Sequence, residues 1–348
     1  MYDHVADLSL TVSDWDLNGF ERDTSSGFSR ATTVVALHGA GTTGRGEDVT
    51  YEARDHERFQ QEGVTLPTGE FTFEEYSAAL DTVELFPEPP DSEVFHHYRR
   101  WAIESAALDL ALRQAETDLG TVLGREYDPV RFVVSTRLGD PPTTDRIDTL
   151  AIHYPDVELK LDPTPEWDDD LVDDLAARDR VRILDLKGMY EGTEVDQDAD
   201  PTLYKRVVEG FPDAVIEDPK LTDVTRPIFD GHEDRISWDV PVESRADIES
   251  LPFEPSWCNI KPSRFGTVES VFEAIEYCLD RDITMYGGGQ FELSVGRDHV
   301  QTLASLCYPD SPNDIAPRGY NNSELPESLP TSPLGSATDP VGLSRDPD

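Results

Sequence analysis

The 348-residue sequence predicts an α/β protein in which a barrel of parallel strands follows a smaller α+β domain. Three observations lead to this fold class. Short apolar runs separated by turn residues fill the first 95 residues, one strong helical pattern follows over residues 95–119, and strand-like and helix-like stretches alternate from residue 130. Strand–helix repetition is typical of parallel sheets with crossover helices.

The first domain, residues 1–95, contains the apolar runs LSLTV, TTVVAL and FTFEEY, which indicate a small antiparallel α+β unit. A helix is expected near residues 73–81. In the next stretch Trp101, Leu108 and Leu112 recur at helical spacing, which makes 95–119 the clearest helix in the sequence.

The second domain, residues 96–320, carries the strand–helix repeats. Its predicted strands are VRFVVST, VELKLD, VRILDLK, DAVIED, RISWD, WCNIK and ITMYGGG. Seven such strands in a row favour a closed barrel over an open doubly wound sheet. The last segment, residues 321–348, is acidic, has five prolines and no aromatic residue, and is expected to be a disordered tail.

The charge balance excludes several partners. With 29 basic and 72 acidic residues the formal charge is −43, which disfavours binding to nucleic acids and to anionic membranes. Only five residues are lysine, and an acid-rich, lysine-poor chain is typical of proteins that work in concentrated salt. A hydrophobic fraction of 37% indicates a packed core and not an acidic disordered protein.

Features of targeting and of disulfide chemistry are lacking in the sequence. The N-terminus has no basic segment followed by an apolar one, and no apolar run approaches the ~18 residues of a membrane span, so a cytoplasmic protein is expected. Cys258, Cys278 and Cys307 are scattered and odd in number, which predicts buried thiols without disulfides or a zinc site.

Charged residues close five consecutive predicted strands: Lys160, Asp185, Glu217, Asp239 and Lys261, at intervals of 25, 32, 22 and 22 residues. In a parallel barrel the carboxyl ends of the strands form the site of chemistry. Three carboxylates with open positions suit Mg²⁺, which would stabilise the enediolate formed when a proton α to a substrate carboxylate is removed. The flanking lysines could reach opposite faces of the α-carbon.

Four motifs resemble the enolase superfamily, nearest the mandelate racemase/muconate lactonizing enzyme type. They are the helix RRWAIESAALDLAL, the fourth-strand Glu217-Asp218-Pro219, the sixth-strand NIKPSRFG and the stretch GGGQFELSVGR. The resemblance spans about residues 30–320. It implies a (β/α)7β TIM-like barrel with an N-terminal capping domain, Glu217 as a metal ligand, Lys261 as an acid/base residue, and a site position for Glu292.

The glycine-rich stretch ALHGAGTTGRGEDV permits two interpretations. Gly39, Gly41 and Gly44 form G-x-G-x-x-G, a dinucleotide-binding pattern, but no amphipathic helix of a βαβ unit follows. The resemblance instead implies that the G-x-G-E segment ending at Glu47 is a mobile loop that folds over the barrel mouth and contacts substrate.

The sequence departs from the family pattern at three strands. The second-strand K-x-K is Lys160-Leu161-Asp162, which places Asp162 at the base position; either Lys160 takes that role or one face lacks an ordinary base. This favours a one-base reaction over racemisation. The fifth-strand D-E is Asp239-Val240, with Glu243 as a less favoured ligand. The third-strand D-x-N ends in Lys187, which would contact substrate or pair with a ligand carboxylate.

Two functions remain open from the sequence. The first is a Mg²⁺-dependent lyase or isomerase (a dehydratase, cycloisomerase or racemase) acting on a small-molecule carboxylate. The second is a barrel without catalysis that serves as a binding or structural subunit. The residue pattern identifies neither the substrate nor the oligomeric state, and a homo-oligomer is compatible with it.

Overall fold

A computed structural model of the chain describes residues 1–190, 192–193 and 195–345. The N-terminal part contains two antiparallel sheets, one of two strands (β1 and β5) and one of three (β2, β3 and β4). Their bounds are β1 Ser9–Val12, β2 Asp14–Asp23, β3 Ser29–Gly39, β4 Thr42–Asp48 and β5 Gly69–Thr72. The helices of this part are α1 Ala53–Glu62, α2 Phe73–Leu80 and α3 Val94–Gln114.

Two predicted helices are present, with the second shorter than expected. Helix α2 begins at a capping box in which the Thr72 hydroxyl and the Glu75 carboxylate bind each other's backbone N–H groups. Helix α3 ends at Gln114 and not at residue 119, because Glu116 adopts a left-handed conformation with φ 52°. The Asp118 side chain then caps a separate short helix, α4 Leu119–Leu123.

The glycine-rich stretch 36–49 is a β-hairpin, which corrects the expectation of a mobile loop. Residues 42–48 form strand β4, and its glycines lie against helix α3. A Cβ atom at Gly46 would come within 2.0 Å of the Ala102 carbonyl, and one at Gly44 within 2.3 Å of the Ala106 carbonyl. These glycines therefore permit close contact between strand and helix. A strand–turn–strand unit also lacks the helix that the dinucleotide pattern requires.

The second part is the predicted parallel barrel. Seven parallel strands are hydrogen-bonded in sequence order from β6 to β12, and all seven fall within the predicted runs. Parallel bridges from Asn313 to Phe132 and from Asp314 to Gly288 connect the last strand to the first, which closes the sheet. The strands are β6 Val133–Thr136, β7 Glu158–Leu161, β8 Val181–Asp185, β9 Val215–Glu217, β10 Ile236–Trp238, β11 Trp257–Ile260 and β12 Thr284–Gly287.

Helices connect these strands, and several begin at an acidic or hydroxyl cap. Asp168 accepts from Leu171 N at the start of α6, and Thr267 accepts from Ser270 N at the start of α10. Part of the acidic surplus thus stabilises helix ends. The helices are α5 Asp145–His153, α6 Asp169–Ala177, α7 Pro201–Gly210, α8 Arg245–Glu249, α9 Pro262–Phe265, α10 Val268–Asp280 and α11 Val295–Cys307.

The C-terminal segment is packed on the barrel through residue 345, which corrects the expectation of a disordered tail. The Leu334 and Val130 backbones form an antiparallel bridge beside the first barrel strand. Leu343 is buried, and its N–H donates to the Asp109 carboxylate on helix α3 at 2.8 Å. The segment is polar in composition but its backbone groups and a few apolar side chains find partners far away in sequence.

Two expectations about the chain as a whole can be compared with the fold. The three cysteines are buried free thiols, as predicted. Within the described ranges, no helix is long and apolar enough to cross a membrane.

Candidate active site

The five charged residues that close consecutive strands meet inside the barrel mouth. Lys160 lies in β7, Asp185 and Glu217 end β8 and β9, and Asp239 and Lys261 directly follow β10 and β11. All five side chains are buried. Because parallel strands place their carboxyl ends at one edge, the regular spacing in the sequence becomes a ring of charges in space.

Lys160 is the most enclosed cation of this ring. Its ammonium lies 2.6 Å from Glu217, 3.4 Å from Asp185 and 3.3 Å from Asp314. Burial lowers the pKa of Lys160, but the three carboxylates outweigh that effect and hold the pKa well above its usual range. The three carboxylates therefore favour the charged form of Lys160.

Asp185 is held by a lysine that the family pattern does not have. The Lys187 ammonium contacts one Asp185 oxygen, and the Lys187 backbone N–H donates to the other at 3.1 Å. Burial raises the pKa of Asp185, but Lys187 and Lys160 hold it below its usual range. Of the two roles that the sequence left open for Lys187, the structure displays the ion pair with a ligand carboxylate.

Asp239 forms an ion pair with Lys261. The Lys261 ammonium donates to Asp239 Oδ2 at 2.7 Å, and the Tyr190 hydroxyl donates to the same oxygen at 2.9 Å. Arg264 Nε lies 3.5 Å from Asp239 Oδ1, at ion-pair distance. Despite burial, the charges of Arg264 and Lys261 hold the pKa of Asp239 well below its usual range. The other oxygen, Oδ1, is buried and accepts no hydrogen bond from the described part of the chain.

The alternative fifth-strand ligand lies elsewhere. The Glu243 side chain is 37% exposed and lies 3.7 Å from the ring of His97. Its position is the outer side of the loop after β10, whereas Asp239 is fully buried in the ring. The geometry therefore favours Asp239 over Glu243 as the fifth-strand member of the site.

Glu217 has partners on both oxygens. Lys160 donates to Oε1, and the Tyr286 hydroxyl donates to Oε2 while also lying 2.8 Å from the Ser237 hydroxyl. Burial raises the pKa of Glu217 well above its usual range, Lys160 lowers it in part, and the charges of Asp185 and Asp239 raise it further. An additional positive charge beside Glu217 would therefore be favourable.

Asp218, the residue after Glu217, binds backbone N–H groups. The Asp218 carboxylate accepts from the N–H groups of Asp239 and Val240, both at 2.9 Å, and so connects the ends of β9 and β10. Burial and the neighbouring charges of Asp239 and Asp185 raise the pKa of Asp218 to about 7. Asp218 thus fixes the direction in which Asp239 enters the ring.

Asp162, at the position of the family's second-strand base, carries a carboxylate partly enclosed by cations. Its Oδ2 accepts from Arg137 at 3.0 Å, and its Oδ1 lies 3.8 Å from the Lys187 ammonium. Oδ1 is buried and accepts no hydrogen bond from any residue that the structure describes. The structure thus brings Lys160, Lys187 and Lys261 into one site, but no lysine occupies position 162.

The predicted substrate residues Glu47 and Glu292 lie between the two domains. The Glu47 carboxylate accepts from the N–H groups of Leu293, Ser294 and Gly296, which precede or begin helix α11. Glu292 accepts from Gln290 N at 2.6 Å and pairs with Arg297 at 2.8 Å. Glu47 thus joins the capping domain to the barrel, whereas the partners of Glu292 lie within the barrel part. A contact of either carboxylate with substrate stays a prediction.

Several residues of the site were missed from the sequence: Tyr190, Arg264, Tyr286 and Asp314. Tyr286 could have been found, because it lies two positions before Gly288 in the predicted strand ITMYGGG. Residues two positions apart in a strand face the same side of the sheet. Arg264 lies in the NIKPSRFG motif. Asp314 could not, since the closing bridge at residues 313–314 has no strand pattern in the sequence.

The predicted Mg²⁺ site can be tested against these contacts. Within the described residues, no three His, Cys, Asp or Glu side chains converge as a ready metal cage. The donors nevertheless fit a hard divalent cation in chemistry: Asp185, Glu217 and Asp239 offer only oxygens, and Asp239 Oδ1 is buried without a hydrogen bond from the described residues. The remaining oxygens accept from lysine ammonium groups, from the Tyr190 and Tyr286 hydroxyls and from the Lys187 backbone N–H.

Comparisons with known proteins place this geometry in context. Residues 3–122 and 126–322 match the family models described as the N-terminal and C-terminal domains of the domain of unknown function DUF8230. The two models meet near the start of the parallel sheet, whereas the boundary predicted at residues 95/96 lies at the start of helix α3.

One curated relative and many solved structures are similar to the chain. An o-succinylbenzoate synthase of Enterococcus faecalis is 25% identical over 325 residues, which are 87% of this chain and 83% of that protein. A dipeptide epimerase of Methylococcus capsulatus, solved with Mg and the dipeptide L-Arg-D-Lys, is 17% identical with a TM-score of 0.70, covering 96% and 99% of the two chains. A muconate lactonizing enzyme of Pseudomonas fluorescens, solved with muconolactone, is 15% identical with a TM-score of 0.68, covering 96% of each chain.

These proteins are enolase-superfamily lyases and isomerases, the class that the sequence predicted. The fold prediction, a capping domain followed by a TIM-like barrel, is confirmed by the likeness.

Proposed function

Because the chain belongs to the DUF8230 family and has the fold of the enolase superfamily, we propose that it removes a proton α to the carboxylate of a small molecule. The resulting enediolate would lead to elimination or isomerisation. One observation carries the proposal: two buried lysines close β7 and β11 on either side of three carboxylates, and their surroundings give them different tasks.

Lys261 is the proposed acid/base residue. Among the described residues, its ammonium has one hydrogen-bond acceptor, Asp239, and the lysine side chain is only 6% exposed. It is therefore paired with fewer carboxylates than Lys160 and is shielded from bulk water, as suits an acid/base residue. Lys160, bound by three carboxylates, is proposed to remain charged and to hold the substrate carboxylate as negative charge develops on it.

Mg²⁺ is the proposed cofactor, with Asp185, Glu217 and Asp239 as the residues that would hold it. When bound, the ion would stabilise the enediolate as a Lewis acid. Support comes from the oxygen-only donor set and from the buried Asp239 oxygen that accepts no hydrogen bond from the described residues. A cytoplasmic location belongs to the same proposal. So does a small-molecule substrate without nucleic-acid or membrane partners, which the net charge of −43 supports.

A one-base reaction suits this site better than racemisation. Asp162, bound by Arg137, stands where the family has its second lysine base. Lys261, which pairs with one carboxylate, is then the favoured proton acceptor, since three carboxylates surround Lys160. Dehydration or another elimination on the Lys261 face is therefore the favoured reaction, with succinylbenzoate-type, muconate-type and dipeptide carboxylates as the first substrates to test.

The experiment is hydrogen exchange with a panel of hydroxy, amino and aryl carboxylates in D₂O and Mg²⁺, followed by NMR. Wild type should exchange the α-hydrogen of its substrate. Lys261→Arg should retain the charge and the fold but lose exchange, because a guanidinium does not give up its proton. If Lys160→Ala stops exchange while Lys261→Arg leaves it intact, the base lies on β7 and Lys261 is an electrostatic partner.

The competing function is a binding or structural subunit without catalysis. It is favoured by the replacement of the second-strand lysine by Asp162 and by Lys187 on a ligand carboxylate. Metal stoichiometry of the purified protein distinguishes the two functions, because a subunit without catalysis has no need of Mg²⁺. Absence of both bound metal and exchange across the panel would favour the subunit.

A further inference from the structure

We propose that Lys187 is a tethered competitor of the metal ion, holding Asp185 in the metal-free protein and moving to Asp162 when the metal binds. The inference rests on the proposed function, because it requires that Asp185 is a metal ligand. It adds a role for the two positions, 162 and 187, at which this chain departs from the family pattern.

The first observation is the contact itself. The Lys187 ammonium lies on the Asp185 carboxylate, the same group that would bind the metal, and the lysine is nearly buried. A divalent cation on Asp185 would lie within a few ångströms of this ammonium in an environment that screens charge poorly. The two positive charges therefore repel each other, and Lys187, which lies closest to Asp185, is the cation that competes with the metal.

The second observation is a prepared alternative acceptor. Asp162 Oδ1 lies 3.8 Å from the same ammonium, is buried, and accepts no hydrogen bond from the described residues. Arg137 holds only the other oxygen, Oδ2, at 3.0 Å. A small rotation of the lysine side chain would turn the loose Asp162 contact into a hydrogen bond and release Asp185.

The third observation is the backbone of Lys187, which has φ 54°, in the left-handed region. Asparagine adopts this conformation far more readily than lysine. A lysine here carries a conformational cost, and such residues persist where the surrounding structure requires them. The Tyr190 ring, whose centroid lies 4.8 Å from the ammonium, gives the charge a further favourable contact near both carboxylates.

The test measures metal binding directly, by titrating EDTA-treated full-length protein with Mn²⁺ and counting free ion by EPR, with Mg²⁺ as competitor. Lys187→Asn should bind Mn²⁺ more tightly, by about tenfold or more, the scale on which residues around a metal site change affinity. Asn also suits the left-handed backbone, so the variant should fold. Asp162→Asn should weaken binding, because the displaced ammonium loses its acceptor.

The double variant separates the two residues. In Lys187→Asn, the further change Asp162→Asn should have little effect, because no ammonium needs an acceptor. Lys205→Asn is the matched control: it removes the same charge from an exposed lysine paired with Glu209 and should leave affinity unchanged. Circular dichroism of each variant verifies the fold.

The outcomes distinguish the inference from the proposed function. Equal affinity of wild type and Lys187→Asn, or an Asp162→Asn effect that persists without Lys187, would overturn the inference and leave the metal site standing. If neither wild type nor Lys187→Asn binds Mn²⁺ or Mg²⁺, the proposed metal site and the inference both fail.

Discussion

At the scale of single residues, the lysines carry the most information. Lys160, Lys187 and Lys261 are three of the five lysines in the chain, and all three contact carboxylates in the barrel mouth. Elsewhere the chain makes its ion pairs almost entirely with arginine. Lysine is a compact charge that can exchange a proton or change partner, and arginine does neither as readily. The presence of three of the five lysines at one site therefore indicates a chemical role for them there.

Lys261 also depends on a glycine on the neighbouring strand. A Cβ at Gly288 would come within 2.6 Å of the Lys261 side chain and 2.3 Å of Asn259. We predict that Gly288→Ala displaces the ammonium from Asp239 and lowers the exchange rate by about 100-fold, the effect of a misplacement of about 1 Å. The clash is with side-chain atoms, so the thermal unfolding midpoint should change little.

The measurement is α-hydrogen exchange in D₂O together with thermal unfolding of the same samples. Mn²⁺ affinity of Gly288→Ala verifies that the three carboxylates still form the metal site: it should not weaken, because the displaced ammonium only vacates Asp239. An unchanged exchange rate would mean that Lys261 does not need its present position.

For single residues, the sequence predicted which residues belong to the site better than it predicted which side chains contact each other. The ring of five charged residues follows from strand periodicity, since each lies at the end of an apolar run. The contact between Lys187 and Asp162 does not follow from strand periodicity, because it depends on two loops that meet only in the folded barrel. Asp314 was missed for the same reason: its strand is a single bridge, too short to leave an alternating pattern.

At the scale of elements, hairpin β3–β4 and helix α3 form a tightly packed unit. Backbone approaches at Gly44 and Gly46 leave no space for a side chain. The buried Asp48–Arg99 pair, 2.8 Å apart, connects the same strand and helix. Glycine spacing alone did not reveal this contact, because the same pattern is compatible with a phosphate loop, a mobile loop or a strand against a helix.

The packing makes Gly46 the most sensitive position of the hairpin. We predict that Gly46→Ala destabilises the protein by about 3 kcal/mol, the upper range for overpacking, because the new Cβ meets the Ala102 carbonyl at 2.0 Å and backbone must move. Urea unfolding followed by circular dichroism measures the change.

Gly335→Ala is the control for this substitution, since a Cβ at that position would have no other atom within 4 Å and its φ is not in the left-handed region. Its effect should stay within about 0.5 kcal/mol. A Gly46→Ala protein as stable as Gly335→Ala would show that β4 moves freely from α3, as the mobile-loop interpretation required.

At the scale of the whole molecule, polar contacts hold the capping domain to the barrel. Glu47 caps the start of α11, and the buried Arg30 donates to the Gln290 carbonyl at 3.2 Å. The C-terminal segment adds a third connection, from Leu343 to Asp109 on α3. Composition could not predict these contacts. It described residues 321–345 as polar and proline-rich, whereas their order comes from partners more than 100 residues away in sequence.

The net charge of −43 sets how these connections respond to salt. Repulsion among the surplus carboxylates favours the unfolded, expanded chain, and salt reduces it because the screening length falls from about 10 Å at 0.1 M to about 3 Å at 1 M. Buried pairs such as Asp48–Arg99 are screened far less, so salt should remove the repulsion without releasing the domain contacts.

We therefore predict that the thermal unfolding midpoint rises steeply with KCl up to about 1 M, where screening is nearly complete, and more slowly above it. A gain of a few kcal/mol would raise the midpoint by roughly 4 °C, at about 1.4 °C per kcal/mol for a chain of 348 residues. Circular dichroism at a series of KCl concentrations measures the midpoint, with NaCl as a second salt of equal ionic strength and sucrose at matched osmolality as the uncharged control. Equal curves for the two salts and a smaller rise with sucrose would establish screening as the cause. A midpoint that is flat or falls with KCl would mean that the acidic surplus does not adapt this chain to concentrated salt.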